Sequence, residues 1–167
     1  ESISPFSILP LEDCPERHRV RSEILTKKLY GYKTPLPPAV RPPQKPQRLR
    51  IGYFSADFRE HPVAYLMAKV LEMHDRNRFE VYGYSIGPAT DDDMRKRLIK
   101  AFNVFVDVHD MNDQDVALLA RQDKIDIAID LTGYTKNYRA SIFAYRAAPV
   151  QINYLGYPGT MGADFID

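Results

Sequence analysis

The sequence predicts an α/β protein built on a doubly wound, Rossmann-like parallel sheet. Three observations predict it. From Leu49 onward, five strand-like segments alternate with four helix-like ones, and short crossovers of that kind give parallel strands with helices on both faces. The strand-like segments are nearly continuous apolar runs, such as Ile125-Asp126-Ile127-Ala128-Ile129, which suits burial on both faces. A proline-rich stretch (Pro35, Pro37, Pro38, Pro42, Pro43 and Pro46) precedes this region and reads as an extended, semi-rigid connector. The chain therefore divides into residues 1–47, a helix with its connector, and residues 48–167, the compact domain.

The elements follow in order. Asp13-Cys14-Pro15 opens a helix, with Pro in its first turn and Gly31 as its stop. Val20, Ile24, Leu25 and Leu29 give that helix one apolar face, and its many basic residues make it a solvated helix. Leu49 to Ser55 is the first strand, and Pro62 to His74 a helix with Leu66, Met67, Val70 and Leu71 on one side. Phe79 to Ile86 is the second strand. Asp91 to Asn103 is a helix opened by three Asp, which suit the positive end of a helix dipole. Val104 to Val108, Ile125 to Leu131 and Val150 to Leu155 are the remaining strands; helices over Asp113 to Gln122 and Tyr138 to Tyr145 separate them.

Composition excludes several classes. The net charge of +1 creates no field that calls for nucleic acid or an anionic membrane. A single cysteine, Cys14, excludes an internal disulfide framework and any multi-cysteine metal site. No apolar run approaches the ~18 residues of a membrane span, and no signal peptide is visible, so cytoplasmic residence is expected. The chain lacks an initiator Met and stops at Phe165-Ile166-Asp167, so it reads as a piece of something longer.

Open parallel sheets bind ligands beyond the carboxyl ends of their strands, where the strand order reverses. For a 3-2-1-4-5 order, that point lies between the first and fourth strands. It nominates three loops: Ser55 to Pro62, Gly133 to Lys136, and Gly156 to Gly162. The glycine-rich dinucleotide turn, the P-loop and the Gly-x-Ser-x-Gly elbow are all absent. Asp91-Asp92-Asp93 contains an Asp-x-Asp that a metal-dependent sugar transferase could use, but at the head of a basic helix it reads as a cap.

His61 is the most informative titratable residue. It precedes Pro62 at a helix start, where a neutral imidazole is favoured and can take a proton or bind a hydroxyl; the plainer role is capping and packing against Tyr65. Asp57 could hold that imidazole in one tautomer, or simply make the turn. Lys136 could meet a phosphate, or be an exposed loop lysine. The Gly156 loop lets backbone approach a ligand, although Pro158 removes one amide donor. His18, His74 and His109 read as ordinary surface or loop residues, and no pair of histidines has metal-ligand spacing.

At these loops the sequence resembles a known family. Arg50-Ile-Gly-Tyr-Phe-Ser-Ala-Asp-Phe-Arg-Glu-His-Pro62, followed by Leu66-Met67, is similar to the start of the catalytic region in the protein O-GlcNAc transferase and SPINDLY-like family. Gly133-Tyr-Thr-Lys136 and Ala148-Pro-Val-Gln-Ile-Asn-Tyr-Leu-Gly-Tyr-Pro-Gly-Thr-Met-Gly162 resemble two further signatures, and the Phe79-Glu-Val-Tyr82 strand is similar as well. The likeness covers roughly residues 48 to 167.

The resemblance implies the N-terminal catalytic lobe of a two-lobed GT-B glycosyltransferase. Residues 1–47 would then be the tail of upstream tetratricopeptide repeats and their connector, and the C-terminal lobe would follow Asp167. Family members transfer a sugar from a nucleotide-sugar (UDP-GlcNAc, or GDP-fucose) to Ser or Thr hydroxyls of proteins, with no cofactor and no obligatory metal. The family's active-site histidine matches His61. Its donor-sugar loop matches Leu155 and Gly156, with Tyr157 and Pro158 beside them; Gly133, Tyr134, Lys136 and Asp57 complete the implied donor and acceptor surface. A second family histidine, near the end of the third strand, has no counterpart here; Val104 stands at the aligned position. The implied partners are a protein or peptide acceptor and the C-terminal lobe, with no nucleic acid and no membrane. Two other readings stand beside this one: a GT-B transferase for a non-protein acceptor, and an inactive Rossmann-like binding module.

Overall fold

A computed structural model describes residues 3–38 and 46–167; Pro42 and Pro43 of the expected connector lie outside the described residues. Along the chain run α1 (Pro5–Ile8), a 3-10 turn (Leu9–Leu11), α2 (Pro15–Tyr30), β1 (Leu49–Ser55), α3 (Pro62–Glu72), β2 (Phe79–Ser85), α4 (Asp93–Ala101), β3 (Val104–Asp107), α5 (Asp113–Gln122), β4 (Ile127–Asp130), α6 (Ser141–Ala144) and β5 (Val150–Asn153). The five strands form one sheet in the order β3-β2-β1-β4-β5, and each adjacent pair is parallel. This is the doubly wound order that the sequence predicts, with its reversal between β1 and β4.

Strand alternation sorts the core onto two faces. Ile51 and Tyr53 of β1, with Ile129 of β4, pack against Met67 and Leu71 of α3 and Leu98 of α4. Phe54 and Ala128 point the other way, onto Val116 and Ala120 of α5 and Phe143 of α6. Three helices carry side-chain N-caps: His61 on α3, Asp92 on α4 and Asn112 on α5 each accept a backbone N–H of the first turn. Asp92 therefore takes up the helix-cap role expected of the three-Asp run. No helix among the described residues is long and apolar enough to cross a membrane.

The structure differs from the sequence reading at several ends. The expected helix over Tyr138 to Tyr145 shrinks to α6, because Asn137 (φ 63°) and Arg146 (φ 61°) adopt left-handed backbone on either side of it. Strand β4 starts at Ile127, since the Ile125 amide still bonds back to Ala120 of α5. β5 ends at Asn153, short of Leu155, whose φ is 65°.

The larger correction concerns α2. Val20 and Ile24, expected on its apolar face, are exposed. The buried face is instead Ser22, Leu25 and Thr26, and Leu25 and Leu29 pack with Tyr134, Ala140, Tyr157 and Met161 of the sheet domain. Thr26 shares a hydrogen bond of 2.5 Å with the Tyr134 hydroxyl, and its Oγ1 lies 3.0 Å from the Met161 carbonyl oxygen. An apolar-period search misses such a face because two of its members are hydroxyl residues. The helix is docked, not merely solvated. The described connector is pinned as well: the Leu36 amide donates to the Tyr145 carbonyl, and Arg121 donates to that of Pro37.

Candidate functional site

Strands β1, β4 and β5 lie side by side and parallel, so their following loops emerge on one edge. The loops are joined there. The Ala56 amide donates to Thr132 Oγ1 at 3.2 Å, tying the β1 loop to the β4 loop. A side chain at Gly133 (φ 52°) would run into Tyr157, and one at Gly156 would overlap the Leu131 carbonyl oxygen. The second and third loops are thus in backbone-level contact, which only glycine permits at these two positions.

In the first loop, His61 caps α3. Its Nδ1 accepts the Val63 amide at 3.3 Å, so a neutral ring in this arrangement carries its proton on Nε2. Asp57 Oδ2 lies 3.7 Å from the same Nδ1, beyond a hydrogen bond. Of the two roles open to Asp57, the turn is therefore the one it fills. Its carbonyl accepts the Arg59 amide at 2.8 Å, its amide bonds to Ser55 Oγ, and its Oδ1 pairs with Arg59 at 3.1 Å. His61 keeps a third of its side chain in solvent.

The second loop is organised by Asp130, which sequence reasoning passed over. Its Oδ1 accepts the Thr132 amide at 2.8 Å and the Gly133 amide at 3.1 Å. Asn153 Nδ2 sits 3.4 Å from Oδ2. Burial pushes this carboxyl above its ordinary range, against the pull of the two amides and Asn153. The signal was legible: an Asp closing an apolar run before Leu-Thr-Gly is a common way to turn a chain. Lys136 is exposed. Tyr134 is 1% exposed, its hydroxyl donating to the Met161 carbonyl. Tyr157 is likewise buried, edge-on to Tyr134. Among the expected contact residues, these two present backbone to the edge while their rings fill the core.

The third loop holds an unusual backbone. Leu155 has a left-handed φ of 65°, and the Gly156 amide bonds to the Tyr154 carbonyl at 2.8 Å. That closes a three-residue turn around a non-glycine residue, a strained arrangement typical of ligand-facing backbone. Leu155 and Pro158 are exposed. Val104 opens β3 and pairs with Tyr82, so it sits at the start of that strand and not at its carboxyl end. His74 also departs from expectation. It is half-buried, shares a 2.8 Å hydrogen bond with the Tyr53 hydroxyl, and burial lowers its pKa.

A doubly wound lobe with three loops fused at its switch point defines a Rossmann-like α/β domain whose ligand edge is built from β1, β4 and β5. Comparison with known proteins narrows the class. The family described as glycosyl transferase family 41 matches residues 17–167, and the chain belongs to that family. It is 45% identical over 138 residues to the Caenorhabditis elegans UDP-N-acetylglucosamine–peptide N-acetylglucosaminyltransferase, covering 81% of this chain and 12% of the relative. It is 42% identical over 139 residues to the Arabidopsis thaliana protein named "Probable UDP-N-acetylglucosamine--peptide N-acetylglucosaminyltransferase SEC", covering 79% of this chain and 14% of that protein. A solved mutant of the Thermobaculum terrenum O-GlcNAc transferase superposes with a TM-score of 0.85 at 35% identity, over 92% of this chain and 29% of that one. The chain thus spans about an eighth of the length of those two relatives and under a third of the solved structure. Its fold is that of the matching part of an O-GlcNAc transferase.

Proposed function

We propose that this chain is the N-terminal catalytic lobe of an inverting protein O-glycosyltransferase that moves GlcNAc from UDP-GlcNAc to Ser or Thr hydroxyls. One observation carries the reading: the three sequence signatures shared with the family meet at a single edge, the switch point between β1 and β4. On this reading the strained Leu155–Gly156 backbone faces the donor sugar, and His61 faces the acceptor. Gly133 and Lys136 line the floor between them.

The chemistry is a displacement at the anomeric carbon. The acceptor oxygen forms the new C–O bond as the bond to the diphosphate breaks, and UDP leaves with that electron pair. The acceptor's proton must go elsewhere. In its capped state His61 offers an Nε2–H, which orients an oxygen but cannot take a proton. Taking it at Nε2 requires the other tautomer, with the proton on Nδ1 and the Val63 bond released. Asp57 Oδ2 lies 3.7 Å from Nδ1, so the ring must also turn before that carboxylate can accept the Nδ1–H. The diphosphate needs electrostatic stabilisation, which falls to a C-terminal lobe in a longer chain. The nucleotide-sugar is a substrate and no cofactor takes part. The acceptor is a protein or peptide, with neither nucleic acid nor membrane involved. Residues 1–47 are read as the tail of an upstream repeat region, in a cytoplasmic enzyme.

The test uses a longer chain carrying both lobes, incubated with a panel of UDP- and GDP-sugars and a protein lysate. Intact mass should show hexosamine on protein with UDP-GlcNAc, while the 167-residue chain alone should consume no donor. A deoxyhexose would change the donor to GDP-fucose. No transfer and no donor hydrolysis with any sugar would overturn the reading.

A further inference from the structure

The loop that carries His61 is held by a helix outside the three signatures. Arg95 lies in the first turn of α4, in a basic run that reads as solvent-facing, yet it is 5% exposed. Its guanidinium touches the ends of two neighbouring strands and the loop after a third. Nη1 donates to the Phe58 carbonyl at 3.2 Å, in the loop after β1, and to Ser85 Oγ at 3.2 Å, the last residue of β2. Nη2 donates to Asp107 Oδ1 at 2.5 Å, the last residue of β3. The planar group also lies over the Phe105 ring, 5.0 Å from its centre. Helix α4 therefore grips the loop at Phe58, three residues before His61.

We propose that Arg95 is a positioning residue for His61: it clamps the Phe58 carbonyl to the ends of β2 and β3 and so fixes the imidazole against the Val63 amide. The physical case rests on what a buried guanidinium needs. It must be paired and fully bonded to be tolerated, and here its partners come from two strands and a loop. Two of them, Ser85 and Asp107, end rigid strands; the third, Phe58, belongs to a loop. The rigid pair is the anchor and the loop carbonyl is what gets positioned. Arginine suits this because its fork of donors is planar and fixed, which lysine's single ammonium is not. Asp107 keeps about half its side chain in solvent, so removing Arg95 leaves no charge stranded in the interior.

The consequence for transfer rests on the reading of His61 given above, but the positioning itself does not, and the test separates them. In the 167-residue chain, Arg95→Met keeps the aliphatic stem against Phe105 and is expected to fold. The Val63 amide should then lose at least tenfold of its hydrogen-exchange protection. The His61 ring-nitrogen shifts should also move from a protonated-Nε2 pattern towards averaged tautomers. Arg95→Lys should restore part of both. A folded Arg95→Met with unchanged Val63 protection and unchanged His61 shifts would overturn the proposal. If Arg95→Met fails to fold, Ser85→Ala combined with Asp107→Ala removes both anchoring oxygens and leaves the guanidinium on the loop carbonyl, and the same two readouts decide in the same directions. In the longer transferase, a loosened His61 no longer holds its Nε2–H on the acceptor oxygen, and this lost orientation should cost roughly tenfold or more in kcat with donor KM little changed. Loosening seen by exchange and shifts without that loss of kcat would sustain the positioning role and contradict the reading of His61 in transfer.

Discussion

The two sides of the switch point are built by different means. On the β1 side, side chains do the positioning: the His61 cap, the Asp57–Arg59 pair and Arg95 reaching across from α4. On the β5 side, backbone shape does it: the left-handed Leu155, and glycines at 133 and 156 that let two loops touch. A side-chain scaffold can be loosened by degrees, because each bond can be removed singly. A backbone scaffold fails abruptly, because one added methyl group collides with main chain. On the function proposed above, a tunable proton-handling group stands on the first kind of scaffold and a fixed sugar cradle on the second.

The largest effect should follow from breaking the backbone side. Gly156→Ala forces a methyl onto the Leu131 carbonyl and should cost about 3 kcal/mol, the upper range for overpacking, measurable by chemical denaturation. Gly133→Ala adds left-handed strain to a collision with the Cβ of buried Tyr157, an atom fixed to the main chain; the loss should be comparable, about 3 kcal/mol. Thr26→Val tests whether α2 belongs to the same scaffold. It deletes the hydroxyl that meets Tyr134 and Met161, and should lower stability by about 1 kcal/mol. An unchanged midpoint would mean that α2 merely rests on the loops.

The smallest effect is one of pH. Burial raises the folded-state pKa of Asp130 above its ordinary 3.8. The folded chain therefore holds this proton more tightly than the unfolded chain. The stability this contributes is full below the unfolded pKa and is lost as pH rises through the folded one. Asp130→Asn keeps an oxygen for the Thr132 and Gly133 amides while removing the charge. It should flatten that decline and leave stability at neutral pH equal or higher. Melting curves from pH 4 to 8 would check it; a large loss at pH 7 would mean that the ionised form is required. His74 runs the opposite way. Its pKa is lowered by burial from 6.5, so its contribution is present above the unfolded pKa and falls away as pH drops below it.

Much of this was legible in the sequence. The parallel, doubly wound sheet followed from the alternation of elements, which does not by itself choose among doubly wound strand orders; β1 and α5 fall at the residues expected, because apolar period and caps are local signals. The short strands β4 and β5 were over-extended, since Ile125 and Leu155 are apolar yet bonded or twisted out of the ladder. His61 as a cap was readable from the proline after it. Arg95 was not, because nothing in Asp93-Met94-Arg95-Lys96-Arg97 distinguishes the one buried basic residue from its exposed neighbours. The docking of α2 was missed for a related reason: its contact is made through hydroxyls, which hydropathy does not count.

The central claim is that the β1 side handles the acceptor's proton and the β5 side holds the donor sugar. The most direct test is a donor titration of the two-lobed transferase carrying His61→Ala or Leu155→Gly. The account predicts a split: His61→Ala lowers kcat and leaves donor KM nearly unchanged, while Leu155→Gly relaxes the cradle and raises donor KM. The same kinetic profile from both variants would contradict it.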